Sequence, residues 1–145
     1  MTNTVKSVAS LKSLLVPSKE VEADFPGFPG FKVKLSFLAR ETLVNIRKKA
    51  TKVSFKSRQG MVEELNDDAF LEMYVQHAIK GWSGLKIAYL ELLAPIDISG
   101  QDLEAELEYS AENALFLMKN SKEFDSWVSE QVGDLGNFQT SSAKK

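Results

Sequence analysis

The stretch that most limits how this chain can fold is Phe25-Pro26-Gly27-Phe28-Pro29-Gly30-Phe31, two tandem Phe-Pro-Gly units closed by a third phenylalanine. Each proline fixes φ and removes a backbone donor, and each glycine admits positive φ, so neither a helix nor a ladder strand can pass through it. The chain must turn here. Immediately afterwards Phe31, Val33, Leu35 and Phe37 alternate with Lys32, Lys34 and Ser36, a period of two that predicts a half-buried strand. Upstream, Val5, Val8, Leu11 and Leu15 recur at spacings of three and four, which predicts a short amphipathic helix ended by Pro17.

Downstream of the strand, Ala39, Leu43, Ile46 and Ala50 share one face of a predicted helix. Residues 52–57 and 61–65 flank Arg58-Gln59-Gly60 as a hairpin. Asn66 or Asp67 can cap a helix running to about Lys80, in which Asp68, Glu72, Gln76 and Lys80 form a polar stripe. Phe70, Leu71, Met73, Tyr74, Val75, Ala78 and Ile79 fill the rest of its circumference, so it is expected to run through the centre of the fold. Gly81-Trp82-Ser83-Gly84 breaks the chain before an apolar helix, residues 85–93, that stops at Pro95. A polar connection occupies 95–108. Ser110 caps a helix through Met118, Asn120-Ser121 interrupts it, and a last helix carries Phe124, Trp127, Val128, Val132 and Leu135. From Gly136 onward the chain reads as polar and frayed. The expected fold class is α+β: a single domain, mainly α-helical, with a small antiparallel β-sheet in the N-terminal half.

Composition narrows the chemistry. At 145 residues with a net charge of −2, the chain has the size of one domain and no overall pull toward nucleic acid or anionic lipid. Without cysteine there are no disulfides and no thiolate metal sites. No apolar run approaches the roughly 20 residues that span a bilayer, and no secretory signal is evident at the start, so a cytoplasmic site of action is expected. The single histidine, His77, is expected to be a packed or half-buried residue rather than a catalytic base. Gly81-Trp82-Ser83-Gly84 lacks the residue that G-x-S-x-G needs between serine and the second glycine, and no phosphate-binding glycine loop is present. No catalytic, cofactor-binding or metal-binding residue is therefore expected.

Arg47, Lys48, Lys49, Lys52, Lys56 and Arg58 form a basic stretch containing Phe55, with no acid between Glu41 and Glu63. A solvated face is the first reading, a protein-contact patch the second and nucleic-acid binding the third, since no recognition-helix or RNA-binding signature accompanies it. Phe28 in its Pro/Gly loop and Trp82 between glycines either mark a protein interface or plug their own loops. Phe124 and Trp127 read as a core face or as a helix that docks during assembly.

Three stretches carry a family likeness. They are Gly30-Phe31-Lys32-Val33-Lys34-Leu35 through Arg40-Glu41-Thr42-Leu43 to Ile46-Arg47-Lys48-Lys49-Ala50-Thr51, then Gly81-Trp82-Ser83-Gly84-Leu85 with Tyr89-Leu90, then Asn113-Ala114-Leu115 and Met118-Lys119-Asn120-Ser121 with Glu123-Phe124-Asp125-Ser126-Trp127-Val128. In order and spacing the chain, over about residues 20–138, resembles the tail assembly chaperones of siphophages and prophages. The resemblance implies one chaperone-like domain over 1–138 followed by a disordered polar tail, 139–145. It implies a non-enzymatic protein of the host cytoplasm that binds the phage tape measure protein, keeps it soluble during tail tube polymerisation and leaves before the virion is complete. Self-association is expected, the tail tube protein is a further candidate partner, and no nucleic acid, membrane, cofactor or metal is implied. Candidate partner contacts are Phe28, Trp82, Phe124 and Trp127. The alternative is a structural tail component, a tube or terminator protein, retained in the virion. Members of such families are often made in two lengths by ribosomal frameshifting, and Lys144-Lys145 suits a slippery run. A longer product sharing residues 1 to about 140 is therefore expected, with peptides crossing into another frame detectable by mass spectrometry of infected cells.

Overall fold

The computed structural model describes residues 10–14, 19–56 and 58–138. The helix expected over Val5–Leu15 lies largely outside them; the part within is a 3-10 turn, Leu11–Leu14, with Leu11 and Leu14 exposed. Residues 139–145 lie outside them too. The rest forms an α+β domain. Strands β1 (Glu20–Asp24) and β2 (Lys32–Ser36) lead to helix α1 (Arg40–Ala50), then to β3 (Thr51–Lys56) and β4 (Gly60–Leu65). Helix α2 (Asp67–Ala78), strand β5 (Ile79–Ser83) and helices α3 (Ile87–Leu93), α4 (Ala111–Asn120) and α5 (Lys122–Gly133) complete it. One antiparallel sheet has the order β1-β2-β5, and β3-β4 form a separate hairpin.

The Phe-Pro-Gly repeat makes two consecutive β-turns. Phe28 N–H donates to Phe25 O (3.3 Å) and Phe31 N–H to Phe28 O (3.0 Å), with proline second and a positive-φ glycine third in each turn. That residue order is the type II signature. The repeat sets Phe25, Phe28 and Phe31 at the turn corners, and all three rings are buried. Phe25 N–H then donates to Phe31 O (2.9 Å), closing the loop and starting the β1–β2 pairing. β2 is the central strand, with Val33 and Leu35 fully buried.

Two strands differ from expectation. β1 carries charge outward and only Val21 and Ala23 inward, which hides it from an apolar-periodicity search; its Glu22 and Asp24 lie opposite Lys34 and Lys32. β5 occupies the segment expected to break the chain. Its pairing with β2 skips Lys80, a bulge that sets Ile79 opposite Leu35 and Trp82 opposite Val33. Consequently α2 ends at Ala78 instead of Lys80.

The caps expected at Asn66 and Ser110 form, and Ser121, expected only to interrupt a helix, caps the next one. Asn66, Ser110 and Ser121 side chains accept from the N–H groups of Ala69, Asn113 and Phe124, each three residues on. Ser121 also ends α4, its N–H donating to Leu117 O, so one buried serine joins two helices. α2 departs from its expected central position: Val75 and Ala78 alone in it are buried, because it packs as a layer between α1 and α4 while β2 takes the centre. His77 is correspondingly exposed and not packed, since two residues beyond Val75 place it about 200° round the helix. The stretch after Gly136 is not frayed throughout. A 3-10 turn, Leu135–Phe138, buries Phe138 against Phe37 with ring centroids 5.6 Å apart.

Between α3 and α4 the chain has no long regular element, as expected, yet it is tied down. Leu107 N–H donates to Leu85 O (2.8 Å), Ile87 N–H to Ala105 O (2.8 Å), and Lys86 pairs with Glu104 at 3.0 Å. Gly84 sits at this junction with φ +73°, its N–H on Glu106 Oε1 (3.0 Å). A Cβ built there would collide with the Gly30 carbonyl oxygen and lie 2.7 Å from its carbon.

Two outcomes follow from this packing. Gly84→Ala adds that backbone collision to positive-φ strain and is expected to destabilise by roughly 2–4 kcal/mol in urea denaturation. Gly100→Ala, at φ +79° with open space around it, should carry the strain alone, about 1–2 kcal/mol; equal losses would show that the Gly84–Gly30 contact is not tight. For His77, partial desolvation, then Lys80 and Lys49, lower the imidazole pKa from its ordinary value. The unfolded chain then binds the proton more readily, so stability is lost as pH falls through about 6.5 and below. His77→Gln should flatten the stability difference between about pH 7.5 and about pH 5; an unchanged slope would place that acid sensitivity in other groups.

Candidate functional site

The four aromatic residues expected to meet a partner instead meet one another's neighbours inside the domain. Phe28 is buried at 7% exposure and Phe124 at 0%, while Trp82 and Trp127 are half-buried. Phe25 holds three of them together: its ring lies 5.1 Å from Phe28, 5.9 Å from Phe124 and 4.9 Å edge-on from Trp127. Trp82 meets Phe124 at 6.3 Å and Tyr109 at 5.2 Å, both edge-on, and its indole N–H donates to Leu107 O at 2.9 Å. Phe28 is T-shaped on Tyr89, whose hydroxyl donates to Pro29 O. The premise that Phe28 and Trp82 stand free of the core is therefore corrected: the tandem turns fold back and use their rings as plugs.

Large apolar side chains that face solvent occur at scattered positions, among them Leu92, Leu103, Phe116 and Leu135, but three of them lie together on one element. On the β3–β4 hairpin Val53, Phe55 and Met61 are 52%, 72% and 69% exposed. Phe55 lies directly opposite Met61, and Val53 opposite Glu63. Directly opposed residues share a face of an antiparallel pair, so these side chains form one continuous strip. The hairpin joins the body at its root, where Asn66 N–H donates to Ala50 O (2.9 Å) and the Thr51 hydroxyl to Arg47 O (2.7 Å). A groove of about 330 Å³ beside the strip is lined by Arg47, Lys48, Thr51, Val53 and Glu63.

Phe55 was noticeable in the sequence as the aromatic within the basic stretch; Val53 and Met61 were not. Alternation shows which residues share a face, but it does not show that nothing covers that face. The basic residues divide. Arg47, Lys48 and Lys49 are exposed on the last turn of α1, where cations complement the helix dipole. Arg47 also lies 5.8 Å over the Phe70 ring. Lys52 and Arg58 extend the positive surface along the arm.

Two further concavities are lined by Glu72, Gln76 and Glu112 between α2 and α4, and by Lys49, Lys52 and Asn66 at the arm's root. Another, of about 440 Å³, lies over the tandem turns, bounded by Asp24 to Gly30, with Asp24 as its sole charged side chain. Among the described residues no group of three or more His, Asp or Glu is arranged to hold a metal ion, and no helix is long and apolar enough to cross a membrane.

No curated protein and no solved structure matches this chain. A family model does, over residues 33–145, from β2 to the last residue. Its description, YdaY prophage protein, gives the chain a phage or prophage origin and points to a phage-related function. The chain belongs to the YdaY prophage protein family.

Proposed function

We propose that this protein is a tail assembly chaperone that binds the phage tape measure protein, keeps it soluble while tail tube subunits polymerise, and is not retained in the virion. The observation that carries the reading is the solvent-facing strip of Val53, Phe55 and Met61, held away from a closed core on a two-stranded arm. A domain whose core is complete has no packing need for three large exposed apolar side chains in register, and such patches commonly mark protein contacts. The prophage family supports a phage-related partner. A tape measure is a long helix-rich chain whose apolar faces aggregate when unprotected, and many weak contacts along it suit a chaperone better than one tight site.

In this reading the protein is not an enzyme. It acts in the host cytoplasm through protein contacts, and weak self-association supplies avidity along the partner. Phe28 is buried in the domain, whereas Trp82 is half-buried and keeps an exposed part through which it can take part in that self-association. The tail tube protein is a second candidate partner.

Coexpression with the phage's own tape measure protein is expected to raise that partner's soluble yield several-fold and to recover the two proteins together. Finished particles should then lack this chain by mass spectrometry. No gain in solubility together with no co-purification would sink the chaperone reading, and stoichiometric recovery from particles would replace it with a structural tail component.

A further inference from the structure

The β3–β4 arm has two unlike faces. Thr51, Val53 and Phe55 lie on one side with their partners Leu65, Glu63 and Met61; Lys52 and Ser54 lie on the other with Glu64 and Val62. The first face holds all three exposed apolar side chains of the hairpin, with Leu65 half-buried at its root. Beside it stand Arg47 and Lys48 at the end of α1, lining the same groove as Val53. Glu63 is the one carboxylate on that face. Apolar centre and basic rim are thus adjacent, and the rim has a single counter-charge.

We propose that this face docks an amphipathic helix of another protein whose apolar stripe is bordered by carboxylates. The proposal rests on the reading of the hairpin as a partner-binding arm and names the chemistry of what it binds. The dimensions agree. Two strands about 4.8 Å apart present a strip close to the ~10 Å width of one helix. Six-residue strands run about 20 Å, which about 13 helical residues would match. Carboxylates beside the stripe would meet Arg47 and Lys48, adding attraction and orienting the helix.

Other occupants fit less well. A second copy docking by two-fold symmetry would either bring the Arg47–Lys48 rim near its own equivalent, with Glu63 as the only acid of the face to offset it, or set the rim against a turn that carries Arg58 and no acid. Nucleic acid would set phosphates against Val53 and Met61 and close to Glu63, losing the attraction that cations supply elsewhere. A strand added at the open edge of the hairpin would satisfy backbone groups but leave the apolar face uncovered.

The test uses the full chain and two labelled helical peptides of about 15 residues, long enough to span the arm. Both carry leucines at i, i+3, i+4 and i+7; one is flanked by glutamates, the other by lysines. Fluorescence anisotropy is expected to show the glutamate peptide binding about tenfold tighter or more, with affinity falling as salt rises. Phe55→Ser and Lys48→Glu should each weaken it about fivefold or more. Lys48 lies on an exposed helix surface, so that variant reports even where Phe55→Ser disturbs the hairpin. Equal affinity for the two peptides, no binding of either, or unchanged affinity in both variants overturns the proposal. So does a dimer that Phe55→Ser dissociates, which assigns the face to a second copy, or displacement of the peptide by duplex DNA. If the peptide fails but the tape measure is still solubilised, this docking mode is wrong and the chaperone function stands; peptide binding without solubilisation gives the reverse.

Discussion

The ring of Phe124 stacks on Phe31 with centroids 6.4 Å apart and 13° between their planes, and it touches Phe25 at 5.9 Å. Through those contacts α5, near the end of the described chain, is clamped onto the turns that precede the central strand. Other features serve that clamp. The tandem turns present the phenylalanines, Gly84 lets β5 close against the Gly30 backbone, and Ser121 starts α5 at the one point where Phe124 can reach inward. Fully burying a phenylalanine returns about 1.5–3 kcal/mol, and each aromatic pair adds roughly 0.5–1.5 kcal/mol beyond burial. With marginal stability the rule, losing one of these rings would threaten the whole domain.

Where the sequence signals were local, they transferred to the structure. The alternation around Val33 and Leu35, the caps at Asn66 and Ser110, the interruption at Asn120-Ser121 and the Arg58-Gln59-Gly60 turn each depend on residues within a few positions. What escaped was non-local. β5 contains Gly81 and Ser83, poor strand formers, and is a strand because β2 offers an unpaired edge. Phe28 looked stranded in its loop because repeat composition gives the turn type but not the side to which its corners point. Phe28 and Trp82 were candidates because they looked isolated, and isolation in sequence proved a poor guide to exposure. For Val53, Phe55 and Met61, the segments flanking Arg58-Gln59-Gly60 correctly gave a hairpin, while their freedom depends on the absence of a covering layer among the described residues.

The resulting division of labour separates stability from recognition. The tandem-turn phenylalanines and Phe124 fill the interior, and the surface strip is built from a valine, a phenylalanine and a methionine on a marginal two-stranded element. Changes on the arm can therefore alter a partner's fit with little effect on the aromatic clamp. Methionine in particular adapts to irregular partners, a useful property against a long and variable surface.

The separation of Phe31 from Phe124 along the chain also affects how the protein is born. The two rings stand 93 positions apart, since 124 − 31 = 93. At translation rates of about 5–20 residues per second, the tandem turns wait roughly 5–19 seconds for the ring that completes their packing. During that interval Phe25, Phe28 and Phe31 are three aromatics without their main cover, while the α1–hairpin–α2 unit, made of contacts close in sequence, can already form. The nascent chain would thus acquire its arm before its core, and the interval before α5 emerges is when aggregation or help from a host chaperone would matter most.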